Sequence, residues 1–248
     1  MKNKWPKDTH ILIPSYKSVK QLRVFVDSLM KIVPKEFICV VDDASNDGTF
    51  EYCADMGIVC LRHDANRGKG AALKTGFDYL ISDADNREPP INTKKTKWIL
   101  TMDADGQHSP TDIHRFIKET RKHPTTGLCI GARDMRLGFM PPTRIISNRL
   151  TSGILSLLTW YIIKDSQCGY RIYSRKFIES IKLHCDRFEM ESEVIIKAAA
   201  KRFPIRFVRV QTLYLSGGPS HISHFADTLR WIAAVLRVRF GLLANTDK

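Results

Sequence analysis

Hydrophobic positions along this chain repeat with two periods that alternate. His10 to Ile13 is a short apolar run, and Leu22, Phe25, Val26, Leu29, Met30 and Val33 follow at helical spacing. Phe37 to Val41 is a second run of strand character. A short helix then stops at Gly57, the strand Ile58 to Leu61 follows, and a helix runs through Leu73, Phe77 and Leu80. Three strand–helix units thus precede a fourth apolar run, Trp98 to Met102. This alternation predicts an α/β fold with a parallel, doubly wound sheet. The polar stretch Ser82 to Lys97, with Pro89-Pro90, reads as an inserted loop. Ser109-Pro110-Thr111-Asp112 starts a helix, Gly127 to Ala132 is a strand, and Leu150 to Ile163 is a long apolar helix. A helix begins near Phe188, a strand covers Ile205 to Leu215, and a Gly217-Gly218-Pro219 turn leads into a terminal helix.

The fourth apolar run ends on Asp103-Ala104-Asp105-Gly106-Gln107-His108. Alternate strand residues share a face, so Asp103 and Asp105 can converge beyond the strand end, where open α/β sheets bind ligands. Two carboxylates with Gln107 as a third oxygen donor suit Mg²⁺ or Mn²⁺ better than zinc. The bland alternative is a solvated turn.

A length of 248 residues with 43% hydrophobic content supports a sizeable core. The six cysteines are scattered, without metal-binding spacing, and read as reduced thiols of a cytosolic protein. No apolar segment opens the chain, and no apolar run reaches membrane-spanning length. The net charge of +13 calls for an acidic partner. No RNA-recognition, zinc-finger or helix-turn-helix pattern accompanies that charge. Nucleic acid is therefore not expected, although a basic nucleic-acid-binding module on a degenerate fold stands as the alternative of another class. A nucleotidyltransferase is a further alternative, but Pro14-Ser15-Tyr16 is not the Gly-rich basic loop such an enzyme carries after its first strand.

Six ordered segments resemble glycosyltransferase family 2, nearest its dolichyl-phosphate mannose and glucose synthase branch. They are Pro14-Ser15-Tyr16, Val41 to Thr49, Asn66 to Gly70, Met102 to His108, Gly131-Ala132-Arg133 and Asp165 to Arg171. The resemblance covers about residues 9 to 215. It implies a GT-A fold, a Rossmann-like and mostly parallel sheet flanked by helices. It also implies a UDP- or GDP-sugar donor, a divalent cation (Mg²⁺ or Mn²⁺) and inversion at the anomeric carbon. By the same resemblance Pro14, Ser15 and Tyr16 line the nucleoside end, and Tyr16 stacks on the base. Asp42 or Asp43 accepts from base or ribose. Lys69, Asp103, Ala104 and Asp105 complete the donor site, and Asp103, Asp105 and Gln107 hold the metal. Arg133, set against an ion pair with Asp134 as its bland reading, meets a phosphate through a planar fork. Arg144, Arg149 and His221 extend the phosphate side.

The chain departs from that pattern at three places. Lys17 stands where the family usually has Asn; Ser166 to Arg171 is closer to the glucosyl branch; and Ser216 to His224 replaces a basic loop. The acceptor decides whether a base is needed: a lipid phosphate attacks as an anion, whereas a hydroxyl of a lipid or glycan needs a carboxylate. Asp165, Glu189, Glu191 and Glu193 are the available carboxylates on the acceptor side, and the family position favours Asp165 and Glu193 as lining residues, although the acids in the first turns of the helix near Glu189 also suit its dipole. The terminal helix repeats Phe225, Leu229, Ile232, Leu236, Phe240 and Leu243, with Trp231 beside Arg230 and Arg237. That pattern divides the chain into a transferase domain, 1–224, and an amphipathic helix, 225–248, lying on an anionic membrane at its cytosolic face; the alternative is that the stripe simply packs on the transferase domain.

Overall fold

The computed structural model describes residues 5–82, 93–135, 140–212 and 224–243, with the side chains of 231–239 and 241 in the last stretch. Its strands are β1 (Thr9–Ser15), β2 (Ile38–Asp42), β3 (Val59–Arg62), β4 (Trp98–Thr101), β5 (Leu128–Ala132), β6 (Arg171–Ser174) and β7 (Ile205–Arg209). They form one seven-stranded sheet in the order β3-β2-β1-β4-β6-β5-β7. β1 and β2 are buried throughout, as the apolar runs Ile11 to Pro14 and Ile38 to Val41 at their centres suit strands covered on both faces. The helices are α1 (Val19–Leu29), α2 (Thr49–Met56), α3 (Lys69–Ile81), α4 (Ile113–Lys122), α5 (Pro142–Thr159), α6 (Arg175–Glu179), α7 (Met190–Ala200) and α8 (His224–Leu243).

The first half is parallel, as its pattern predicts. The departure lies at β6, which the sequence reading lacks. It runs antiparallel to both β4 and β5. Four residues with Arg171 at their head carry no apolar alternation, and pairing on both sides supplies what the local pattern does not. Its direction brings the segment 165–170 to the same sheet end as the residues after β4 and β5.

Two element bounds also differ. The expected apolar helix from Leu150 to Ile163 begins instead at Pro142 and ends at Thr159, with Trp160 left-handed at φ 59°. Proline suits a first turn, and Ser156, Thr159 and Ile163 close the end through side-chain hydroxyl bonds. The last strand stops at Arg209, and its expected continuation past Thr212 lies outside the described residues.

The core is continuous across the sheet and runs from Trp5 to Val238. All six cysteines are free, and five are buried. α8 docks on α7: Val235 and Val238 are buried, and Trp231 Nε1 donates to Ser192 Oγ at 2.7 Å. This corrects the assignment of Trp231 to a membrane interface, while Ile232 and Leu236 do remain exposed. Phe225, Leu229, Arg230, Phe240 and Leu243 fall on side chains outside the description.

Gly76 of α3 sits over β1 so closely that a Cβ there would lie 2.2 Å from Leu12 Cδ1. Gly76→Ala should therefore destabilise by about 1–3 kcal/mol through overpacking, despite the better helix propensity of alanine. A lower urea midpoint with unchanged slope would register it.

Candidate functional site

β4 delivers Asp103 to the sheet end through a tightly held turn. Met102 N donates to Leu12 O, and Thr101 Oγ1 donates to Gly169 O at 2.8 Å. Beyond them Asp103 N donates to His108 Nδ1 at 3.1 Å, so the imidazole closes the Asp103–His108 loop. With Nδ1 accepting, the ring proton sits on Nε2. Burial holds this imidazole at about 4, against the pull of Asp103, so it is neutral near pH 7. His108 also stacks on Tyr170, with centroids 4.9 Å apart, and Tyr170 Oη donates to Ser109 O. Gly106 takes φ 73°, and Gln107 N donates to Asp105 Oδ1 at 2.9 Å.

The Lys69 ammonium is the hub of the cleft. Its Nζ lies 2.6 Å from Asp103 Oδ1 and 2.7 Å from Glu191 Oε1. It thereby joins the start of α3, the end of β4 and the start of α7. Burial alone would raise the Asp103 carboxyl, but Lys69 and then His108 outweigh it and hold the group at about 2. Asp105 shifts the other way: withdrawal from water and the Asp103 charge raise it, while the Gln107 amide, Lys69 and Arg144 oppose the rise. Two adjacent carboxylates, one of them pushed toward protonation by the other, are a donor set that a divalent cation would relieve. Among the described residues no three His, Cys, Asp or Glu side chains form a closed cage. The two carboxylates present therefore fit an open divalent-cation site rather than a closed all-protein cage. Ala104 is buried between the two acids.

Sequence reasoning gave Gly169 no role, and Glu191 none beyond an available carboxylate on the acceptor side. A Cβ on Gly169 would lie 2.5 Å from Asp103 Oδ2 and 2.8 Å from Lys69 Nζ. The glycine is thus the space in which the ion pair sits. Glu191 stood among the acids assigned to a helix dipole, and only the fold brings it to Lys69. Arg171, fully buried, fixes the same corner by donating to Cys168 O, Glu191 O and Ser166 O, each at 2.7 Å.

Several expected roles change. Asp43 accepts from His63 Nδ1, Asn66 Nδ2, Arg67 N and Gly68 N at 2.7–3.0 Å. Its lone pairs are occupied, so it shapes the 66–68 loop rather than facing a base. Asp42 accepts from Ser45 N and pairs with Arg62 at 3.6 Å. Pro14 and Ser15 are buried and Tyr16 is exposed beside them, with Lys17 Nζ 5.2 Å from its ring. Lys17 has φ 50°, a left-handed position that asparagine tolerates better. This is a physical reason for the residue the family usually carries there.

Arg133 pairs with Asp165 rather than with Asp134. Its Nε donates to Oδ2 at 2.8 Å and its Nη2 to Oδ1 at 3.0 Å. Asp165 also accepts from Asn148 Nδ2 at 2.6 Å, and it is fully buried. Burial would raise this carboxyl, but the Arg133 fork holds it low, which with both oxygens already accepting makes it a poor base. Glu193 is corrected likewise: it accepts from His184 N and Cys185 N and pairs with Lys197 at 3.3 Å, fully buried. Arg133, Lys164, Phe207 and Arg209 line a cavity of about 520 Å³ at this end of the sheet. Arg149 is exposed on the outer side of α5, and His221 lies outside the described residues.

Residues 10–182 match the glycosyl transferase family 2 description. The chain belongs to glycosyl transferase family 2. An uncharacterised protein of Methanocaldococcus jannaschii is 32% identical to it over 224 residues, 87% of each chain. The UDP-N-acetylglucosamine–dolichyl-phosphate N-acetylglucosaminyltransferase of Methanococcus voltae is 27% identical, over 83% of this chain and 85% of its own. In fold, this family 2 chain superposes on glucosyl-3-phosphoglycerate synthase of Mycobacterium tuberculosis, crystallised with Mn²⁺, UDP and glucosyl-3-phosphoglycerate. The TM-score is 0.67 at 17% identity, over 94% of this chain and 80% of the other. The sheet is thus the GT-A sheet, and the protein is a glycosyltransferase.

Two outcomes follow from the Lys69 hub. Gly169→Ala should keep the fold and lower turnover by about 10²-fold, since a misplacement near 1 Å costs that much; steady-state rates alongside a melting curve will read it. The second is a pH dependence. Because the folded Asp103 carboxyl sits at about 2 against an ordinary 3.8, its stabilisation is complete above that ordinary value and lost as pH falls toward 2. Urea titrations across this window should show wild type losing stability relative to Asp103→Asn.

Proposed function

We propose that this enzyme is a metal-dependent, inverting transferase that moves a sugar from a UDP- or GDP-sugar to a polyprenyl or other lipid phosphate, working as a peripheral protein at the cytosolic face of a membrane. The observation that carries the reading is the placement of Asp103 and Asp105 just after β4, near enough for the Asp103 charge to raise the Asp105 carboxyl, with Asp103 joined through Lys69 to Glu191. The donor chemistry is supported by the Methanococcus voltae relative, whose name specifies a UDP-sugar and dolichyl phosphate. Mn²⁺ and UDP accompany the structural neighbour from Mycobacterium tuberculosis.

In this reading Asp103 and Asp105, with Gln107 near, hold Mg²⁺ or Mn²⁺. Bound there, the cation neutralises the charge that develops on the departing nucleoside diphosphate. Tyr16 offers an exposed ring to the base, and Pro14, Ser15 and Asp42 shape the floor beneath it. Lys69 sits where a diphosphate oxygen would arrive. Arg144, close enough to Asp105 to affect its carboxyl, and the unused edge of the Arg133 fork stand on the acceptor side. An acceptor phosphate oxygen attacks the anomeric carbon from the face opposite the diphosphate. The new carbon–oxygen bond forms as the one to the diphosphate breaks, which inverts the centre.

The acceptor choice has a chemical argument. The two carboxylates favoured for a hydroxyl acceptor, Asp165 and Glu193, are both buried and committed to other donors, and Glu191 is paired with Lys69. A phosphate is already anionic near pH 7 and needs neither. No described helix is long and apolar enough to cross a membrane, which agrees with a peripheral placement.

A panel of UDP- and GDP-sugars, assayed with a polyprenyl phosphate for Mg²⁺- or Mn²⁺-dependent release of nucleoside diphosphate, tests the proposal. Asp105→Asn should lower turnover by roughly 10²–10³-fold, the scale of losing one preorganised electrostatic group. Its urea midpoint should stay near wild type. Turnover that persists in excess EDTA would overturn the metal assignment.

A further inference from the structure

We infer that the outer face of α5, continued by Trp160 and Ile162, is a docking surface for an anionic lipid bilayer. On the inner side of this helix Ile145, Asn148, Ser152, Leu155 and Thr159 are buried. On the opposite side Ile146, Leu150 and Leu157 are 67%, 62% and 74% exposed. With Gly153, whose Cβ position meets nothing within 4 Å, they follow the spacing i, i+4, i+7 and i+11. This is a single outward stripe about 16 Å long at 1.5 Å per residue. Trp160 and Ile162 extend it at 89% and 82% exposure. The helix closes with Trp160 left-handed at φ 59°, a conformation uncommon for a bulky residue. Its indole is thereby turned out at the end of the stripe, where an amphipathic ring suits the boundary between water and lipid.

The charge around this face selects the occupant. Arg149 flanks the stripe and Lys164 follows Ile162, both exposed, on a chain of net charge +13. A second copy seated on the same face would bring these cations against their own counterparts. An anionic lipid surface receives them favourably. Lys164 also lines the cavity with Arg133 and Arg209. A bilayer against the stripe therefore sets that cationic cavity at headgroup depth. The inference extends the proposed function by naming the surface, but lipid binding is read without any sugar transfer, so either can fail alone.

The test is sedimentation of the full chain with phosphatidylglycerol–phosphatidylcholine vesicles, together with Trp emission. Wild type should pellet with anionic vesicles, and its emission should shift to the blue, a shift that Trp160→Phe removes. Leu157→Glu combined with Ile162→Glu should lower vesicle affinity by at least roughly tenfold. Because both side chains are exposed, the melting temperature should not change. Ile232→Glu with Leu236→Glu on α8 should leave most of the binding in place. Vesicle binding unchanged in the α5 variant, or lost only in the α8 variant, would overturn the inference. So would wild type that ignores anionic vesicles at low salt, or that sediments as a dimer which the α5 variant converts to monomer.

Discussion

A single half-buried ammonium ties the cleft together. Lys69 is the first residue of α3, yet both its partners come from elements distant in sequence, Asp103 after β4 and Glu191 at the start of α7. The bridge is possible only because the chain gives up side-chain volume around it. Gly169 leaves the space the ion pair fills, and Gly68 and Gly70 let the loop before α3 lie directly against the backbone of Asp186 and its neighbours. Ala71 N donates to Asp186 O across the same contact. The sheet end is therefore held by charge at its centre and by backbone contact at its side, and removing either leaves buried polar groups without partners.

Around that bridge the remaining polar residues form two closed circuits. Asp43 gathers His63, Asn66 and two backbone amides, which sets the loop that positions Lys69. Asp165 gathers Arg133 and Asn148, while Arg171 ties the following loop to Glu191. Each carboxylate is saturated, and each acts on the cleft through the backbone it holds. Asp103 and Asp105 differ because their partners are another acid, a cation and a turn amide, an arrangement that leaves oxygen facing the cleft.

The sequence made the strand–helix alternation of the first half legible because central strands carry short apolar runs, and β1, β2 and β4 each hold one. The Asp103–Asp105 pair was legible for a related reason: a carboxylate directly after an apolar strand has one sheet end to occupy. β6 was not, since its four residues owe their conformation to two antiparallel neighbours rather than to their own pattern. Glu191 and Glu193 show where local reasoning stops. They lie two residues apart in the first turns of one helix, and both suit its dipole, yet one enters the cleft and the other holds the 184–185 backbone. Which does which depends on what packs against each side of α7. Asp165 followed the same logic: its motif marked it as important, but only the fold reveals that an arginine already occupies it.

The inner face of α5 has a geometric consequence. Asn148 and Ser152 lock the helix by hydrogen bonds to Asp165 and to Ser166, and Ser152 also bonds Asn148. A helix fixed in rotation and in translation by such contacts cannot roll. Its outer residues are thus held at a set height and angle relative to Arg133, as the markings on a ruler are held to its edge. Any surface that meets Ile146, Leu150 and Leu157 stands at one constant distance from the cleft, and substitutions on that outer edge can change what it touches without changing where the cleft lies.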